Sequence, residues 1–69
     1  MICSVLGLGY IGLPIASIIA SKGIKTFGID VNKHLVKDIN NCKIHFYEKE
    51  LDQLLKKVIK NNYLTAKNL

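Results

Sequence analysis

Three glycines, Gly7, Gly9 and Gly12, follow directly on a strand-like apolar run from Ile2 to Leu6. That spacing constrains the backbone more than any other feature of the chain. Gly7 permits a tight turn out of the strand, and Gly9 keeps a Cβ away from whatever approaches the turn. Gly12 lets the following helix pack close against the strand. The helix then offers unpaired N–H groups and a partial positive charge to an anion such as a pyrophosphate. Asp30 closes the next strand-like run, eighteen residues after Gly12. Its carboxylate suits the ribose hydroxyls of an adenosine half. Turn, helix and acid together form a dinucleotide-binding fingerprint, and the acid favours NAD over NADP, whose 2′-phosphate it repels.

The remaining pattern alternates strand and helix. Ile11, Ile15, Ile18 and Ile19 recur at helical spacing, and Pro14 falls in or near the first turn, where it costs little. Lys22 and Gly23 supply a terminal cation and a cap. Lys25 to Ile29 reads as a second strand, which makes a right-handed βαβ unit with parallel strands. Asn32 is placed to cap a short helix with Leu35, Val36 and Ile39 on its apolar side, ended by Asn40 and Asn41. After a loop from Cys42 to Glu48 comes a strongly amphipathic helix. Leu51, Leu54, Leu55, Val58 and Ile59 share one face, and Asp52, Gln53, Lys56, Lys57 and Lys60 lie opposite. Asn61 and Asn62 stop it, and Tyr63 to Ala66 begins a third strand. The expected fold class is α/β, an incomplete Rossmann arrangement forming the first part of a doubly wound NAD-binding domain. A complete domain of that type needs about twice this length, so residues 1–69 are expected to be a partial NAD-binding domain.

Composition narrows the function classes. The chain is 49% hydrophobic and 22% charged with a formal charge of +5, and all ten basic residues are lysine. Nucleic-acid readers rely on arginine forks and on aromatic residues interleaved with basic ones; the scattered lysines here predict a solvated basic surface instead. Cys3 and Cys42 form neither a disulfide framework nor a metal spacing. Cys3 is expected to pack as an ordinary apolar residue, and reduced thiols suit a cytoplasmic protein. No zinc, magnesium or calcium constellation is present. Residues 1–21 carry no charge, long enough for a membrane anchor. That alternative lacks a basic leading segment, and it gives no reason for Asp30 at its distance.

The octapeptide from Gly7 to Pro14 resembles the N-terminal signature of the UDP-glucose/GDP-mannose dehydrogenase family of nucleotide-sugar dehydrogenases. The resemblance continues through Phe27 to Asn32, Ile39-Asn40, the loop Ile44-His45-Phe46-Tyr47-Glu48, and Tyr63 to Ala66. The loop is most similar to that of the branch oxidising UDP-N-acetylmannosamine. Lys49 stands where the family commonly has proline, and Thr65 where it often has arginine; neither touches the phosphate turn.

Such a resemblance implies a four-electron oxidation of a sugar C6 alcohol to a carboxylate, with two NAD molecules used in succession. A cysteine in a later domain forms a thiohemiacetal and then a thioester, assisted by a lysine and an asparagine, and the products feed surface polysaccharides. The cofactor contacts implied within this chain are Gly7, Gly9, Tyr10, Ile11, Gly12 and Asp30. The backbone amides of Tyr10 and Ile11 serve the pyrophosphate and Asp30 the adenosine ribose. No catalytic residue is expected here: Cys3 and Cys42 are not the nucleophile, and His45 and Glu48 read as loop packing. Lys33 reads as a solvated lysine at a helix start. The central and C-terminal substrate domains are absent from the sequence, so UDP-sugar binding and activity are expected only in their context. Self-association, or a partner chain carrying those domains, is expected for so small a core. A free-standing nucleotide-binding or interaction module is the alternative that keeps the same turn.

Overall fold

The computed structural model describes residues 1–43 and 49–69. Three strands, β1 (Ile2–Leu6), β2 (Lys25–Asp30) and β3 (Leu64–Asn68), form one sheet in the order β1-β2-β3. Both pairings are parallel, with Cys3 opposite Thr26 and Gly28 opposite Ala66. Parallel neighbours require crossover connections. Helix α1 (Gly12–Ser21) makes the first, and α2 (Lys33–Asn40) with α3 (Lys49–Lys60) make the second. The expected α/β class and parallel βαβ start are present. β2 runs one residue further than its apolar pattern suggests, through Asp30. β3 begins one residue later and ends at Asn68.

Local signals set the helix ends. Pro14 is the third residue of α1, where an amide would have no intrahelical acceptor. Gly23 adopts a φ of +83° and returns its N–H to the Ala20 carbonyl at 3.0 Å, closing α1. The Asn32 side chain accepts from the Leu35 amide at 3.1 Å and starts α2. α3 carries Glu50 and Asp52 in its first turn and Lys57 and Lys60 in its last, each opposing the partial charge of that terminus.

The core lies on one face of the sheet. Leu13, Ala16 and Ala20 from α1 meet Val36 and Ile39 from α2, Leu55 and Val58 from α3, and Leu64 and Ala66 from β3. α2 and α3 therefore bury the residues their periodicity predicts. α1 does not. Its buried side is Leu13 with the small residues Ala16, Ser17 and Ala20, while Ile11, Ile15 and Ile18 face outward. Short side chains let α1 lie close to the sheet, and the buried Ser17 hydroxyl donates to the Leu13 carbonyl at 2.9 Å. Cys3 is likewise only half-buried; among the described residues β1 has β2 as its one neighbour.

The other face of the sheet has no helix over it among the described residues. Ile2 and Leu6 on β1 are exposed there, in register with Lys25 and Ile29 of β2. The Lys25 and Lys67 ammonium groups hang over the Phe27 ring, 5.8 and 5.4 Å from its centroid. At the opposite edge, the Asn40 side chain bonds to β3 as a further strand would. Its Nδ2 donates to the Ala66 carbonyl and its Oδ1 accepts from the Ala66 amide, both at 2.9 Å. Replacing Asn40 by Ala is expected to cost about 1–3 kcal/mol, two hydrogen bonds' worth. Hydrogen exchange should show the Ala66 amide losing protection ahead of amides in β2; uniform loss across the sheet would contradict this.

Candidate functional site at the carboxyl ends of the strands

The glycine turn begins where β1 ends. Gly7 has a φ of +88°, a conformation other L-residues rarely adopt, and its amide donates to the Ile29 carbonyl at 2.7 Å. Gly12 returns the chain over that turn. A Cβ at Gly12 would stand 1.7 Å from the Gly7 carbonyl oxygen, so no larger residue fits. Gly9 differs: a Cβ there would meet nothing within 4 Å. Its hydrogen atoms border open space above the turn.

Two contacts fix the turn to β2. The Leu8 side chain is fully buried and packs on Gly28, where a Cβ would come within 2.6 Å of a Leu8 methyl. The Leu8 amide donates to Asp30 Oδ2 at 2.8 Å, and the Asn32 amide donates to Asp30 Oδ1 at 2.8 Å. One carboxylate thus joins the glycine turn to the start of α2. The backbone carbonyl of Asp30 is also engaged, by the Leu69 amide at 3.0 Å and Asn68 Nδ2 at 3.1 Å.

Gly7 and Asp30 line one crevice with Leu6, Ile29, Val31 and Leu69. It opens at the carboxyl ends of the strands, where open α/β sheets receive ligands. Tyr10 and Ile11 are exposed on the turn at the start of α1. Among the described residues the N-cap Ile11 makes no side-chain cap bond, and the first turn of α1 contains no acidic residue. Such a helix start suits an anion.

The residues singled out in the sequence therefore gather in one place, with Gly7 and Asp30 in the crevice and Gly9, Tyr10 and Ile11 on the turn beside it. His45 and Glu48 lie outside the described residues. Lys33, His34 and Lys37 sit together on the outside of α2. Among the described residues no group of three metal-ligating side chains occurs, and no helix is long and apolar enough to cross a membrane. Sequence reasoning missed the Leu8–Gly28 packing, although a glycine inside a β-branched and aromatic run is the usual sign of a close approach. It also missed the second task of Asp30, which no spacing rule reveals.

The family model for the NAD-binding domain of the UDP-glucose/GDP-mannose dehydrogenase family matches residues 1–69. The UDP-N-acetyl-D-mannosamine dehydrogenase of Campylobacter jejuni is 51% identical over 65 residues, covering 94% of this chain and 16% of that protein. The NDP-N-acetyl-D-galactosaminuronic acid dehydrogenase of Ralstonia solanacearum is 46% identical over 63 residues, covering 91% of this chain and 15% of that protein. The solved structure of the UDP-D-ManNAc dehydrogenase of Pyrococcus horikoshii superposes with a TM-score of 0.94 at 40% identity, over 100% of this chain and 16% of that one. The sequence here thus spans about a sixth of the length of these relatives.

The geometry separates the glycines by role. Gly12→Ala is expected to destabilise the chain by about 1–3 kcal/mol or more, as overpacking does. Gly9→Ala is expected to change stability by about 0.5 kcal/mol or less, as surface substitutions do. Urea titration followed by circular dichroism compares them; equal losses would contradict the open space at Gly9.

Proposed function

The chain belongs to the UDP-glucose/GDP-mannose dehydrogenase family, and from that premise we propose that it is the N-terminal NAD-binding segment of a nucleotide-sugar 6-dehydrogenase. The sugar is a UDP-sugar such as UDP-N-acetylmannosamine, oxidised at C6 to its uronic acid for surface polysaccharide synthesis. The names of the relatives from C. jejuni and P. horikoshii support that branch. The observation that carries the reading is the shared crevice of Gly7 and Asp30, with the Asp30 carboxylate tied to the turn at Leu8.

When bound, NAD supplies the hydride acceptor. The chain's own residues bind and orient its adenosine end. The amides of Tyr10 and Ile11, at the start of α1, face the pyrophosphate. Gly9 leaves room for it, and Gly7 and Gly12 hold the turn's shape. Asp30 accepts from the adenosine ribose hydroxyls, and its charge disfavours a 2′-phosphate. No residue of this chain takes a catalytic part, and Cys3 and Cys42 lie in β1 and after α2, away from the crevice lining. The isolated chain is therefore inactive, and the UDP-sugar is met only with the family's remaining domains. A cytoplasmic location suits two free thiols.

Titration of the ¹⁵N-labelled chain with NAD and then NADP tests the reading. Amide shifts are expected at Gly7 to Gly12 and Asp30, with NAD preferred. Asp30→Asn keeps an acceptor for the Leu8 amide but loses the charge, and should weaken NAD binding roughly tenfold or more, as loss of a charged hydrogen bond does. A well-dispersed spectrum that does not respond to millimolar NAD would refute the assignment.

A further inference from the structure

The peptide between Val31 and Asn32 is held at both ends. Its N–H donates to Asp30 Oδ1 at 2.8 Å, and its C=O accepts from Asn68 Nδ2 at 3.2 Å. In a trans peptide these two groups point in opposite directions, so a partner that holds one aims the other. The same Asn68 nitrogen donates to the Asp30 carbonyl at 3.1 Å. An asparagine side chain carries two N–H bonds on that nitrogen, and the carbonyls of Asp30 and Val31 take one each.

We propose that Asn68 is a positioning residue of the cofactor site. By clamping the carbonyls of Asp30 and Val31 it turns the Asn32 amide onto Asp30 and so fixes the carboxylate that receives the adenosine ribose. The inference rests on the NAD reading for what that carboxylate does. It adds a residue of β3 to a site otherwise built from β1, α1 and β2.

Position and residue type both suit this task. Asn68 stands opposite Asp30 in the β2–β3 register and is the last residue of β3, exposed and outside the core. Asparagine is a poor strand former, and the strands do not need its side chain in order to pair. The backbone bond at this point comes from the Leu69 amide, which donates to the Asp30 carbonyl at 3.0 Å. What the side chain adds lies beyond the end of β2, which stops at Asp30. Consecutive carbonyls of an extended strand point to opposite edges, yet one nitrogen here reaches two of them, so the chain has turned at Val31. Type I and type II turns differ by the flip of one such peptide. A flip between Val31 and Asn32 would take the N–H off Asp30 Oδ1 and loosen the hold on the carboxyl group. Asn68 opposes that flip from the far side of the peptide.

Spectra of the ¹⁵N-labelled full chain test the clamp without cofactor, and NAD titrations test its consequence. In Asn68→Ala the Asn32 amide proton is expected to move upfield and to exchange roughly tenfold faster, the worth of a lost hydrogen bond. Amides of α1 and α3 should keep their wild-type exchange. NAD binding should weaken roughly threefold to tenfold. In an Asp30→Ala background the same substitution should change NAD affinity by less than about twofold, because a residue acting through Asp30 has nothing left to position. Asn68→Asp keeps the shape of the side chain and has no donor, so it should match Asn68→Ala at the Asn32 amide. Both variants alter an exposed strand-end residue, and circular dichroism checks that the fold persists. An Asn32 amide unchanged in either variant overturns the proposal, and so does an equal loss of NAD affinity with and without Asp30. A folded wild-type chain that ignores NAD refutes the cofactor assignment instead, and the Asn32 amide then still decides the clamp.

Discussion

Leu8 holds the rest of the structure in place. Its side chain is buried against β2, and its amide is bound by the last residue of that strand. Neither contact is possible without a particular neighbour, since Gly28 must lack a Cβ and Asp30 must present an acceptor. The residue between the first two glycines of the turn is therefore a rivet with an apolar shank and a polar head. With Leu8 seated, Gly7 bonds to Ile29, Gly12 comes down over the Gly7 carbonyl, and α1 takes its direction across the sheet. A site that must present backbone amides to a ligand needs them held rigidly, and here the rigidity comes from packing beneath the turn.

The sheet divides the molecule into two unlike surfaces. All three helices share one core with β3 and Leu8 on one face. The other face keeps Ile2 and Leu6 exposed around a phenylalanine flanked by two lysines. Parallel sheets normally have both faces covered. The family's solved structures are about six times longer than the match to this chain, which accords with a sheet half of whose cover belongs to other chain segments. The outward isoleucines of α1 form a second uncovered area, distinct in being uncharged.

Much of this was legible in the sequence, because the signals were steric and local. Positive φ at Gly7 and Gly23, the Asn32 cap, the last-turn lysines and the stripes of α2 and α3 follow from rules that span a few residues. The site was legible for the same reason: its residues flank two strand ends that parallel pairing brings together. In α1 the apolar spacing does not mark the core side. Its isoleucines are spaced as a core face would be, yet close helix–sheet approach selects Ala16, Ser17 and Ala20 for the inside. Longer-range contacts were invisible. Nothing near Asn40 in the sequence announces a bond to Ala66, twenty-six residues away, and nothing about Asp30 announces a bond to Leu8.

The Asn40 amide also gives the sheet a polarity that its strand order alone does not. By occupying the outward N–H and C=O of Ala66, it plugs the β3 edge at mid-strand. β1, at the other edge, has β2 as its one neighbour among the described residues. Edge-to-edge propagation into a fibril requires two receptive edges on every molecule. A strand adding at the β3 edge would first have to break the two Asn40 bonds to Ala66. The side chain that guards this edge belongs to a helix.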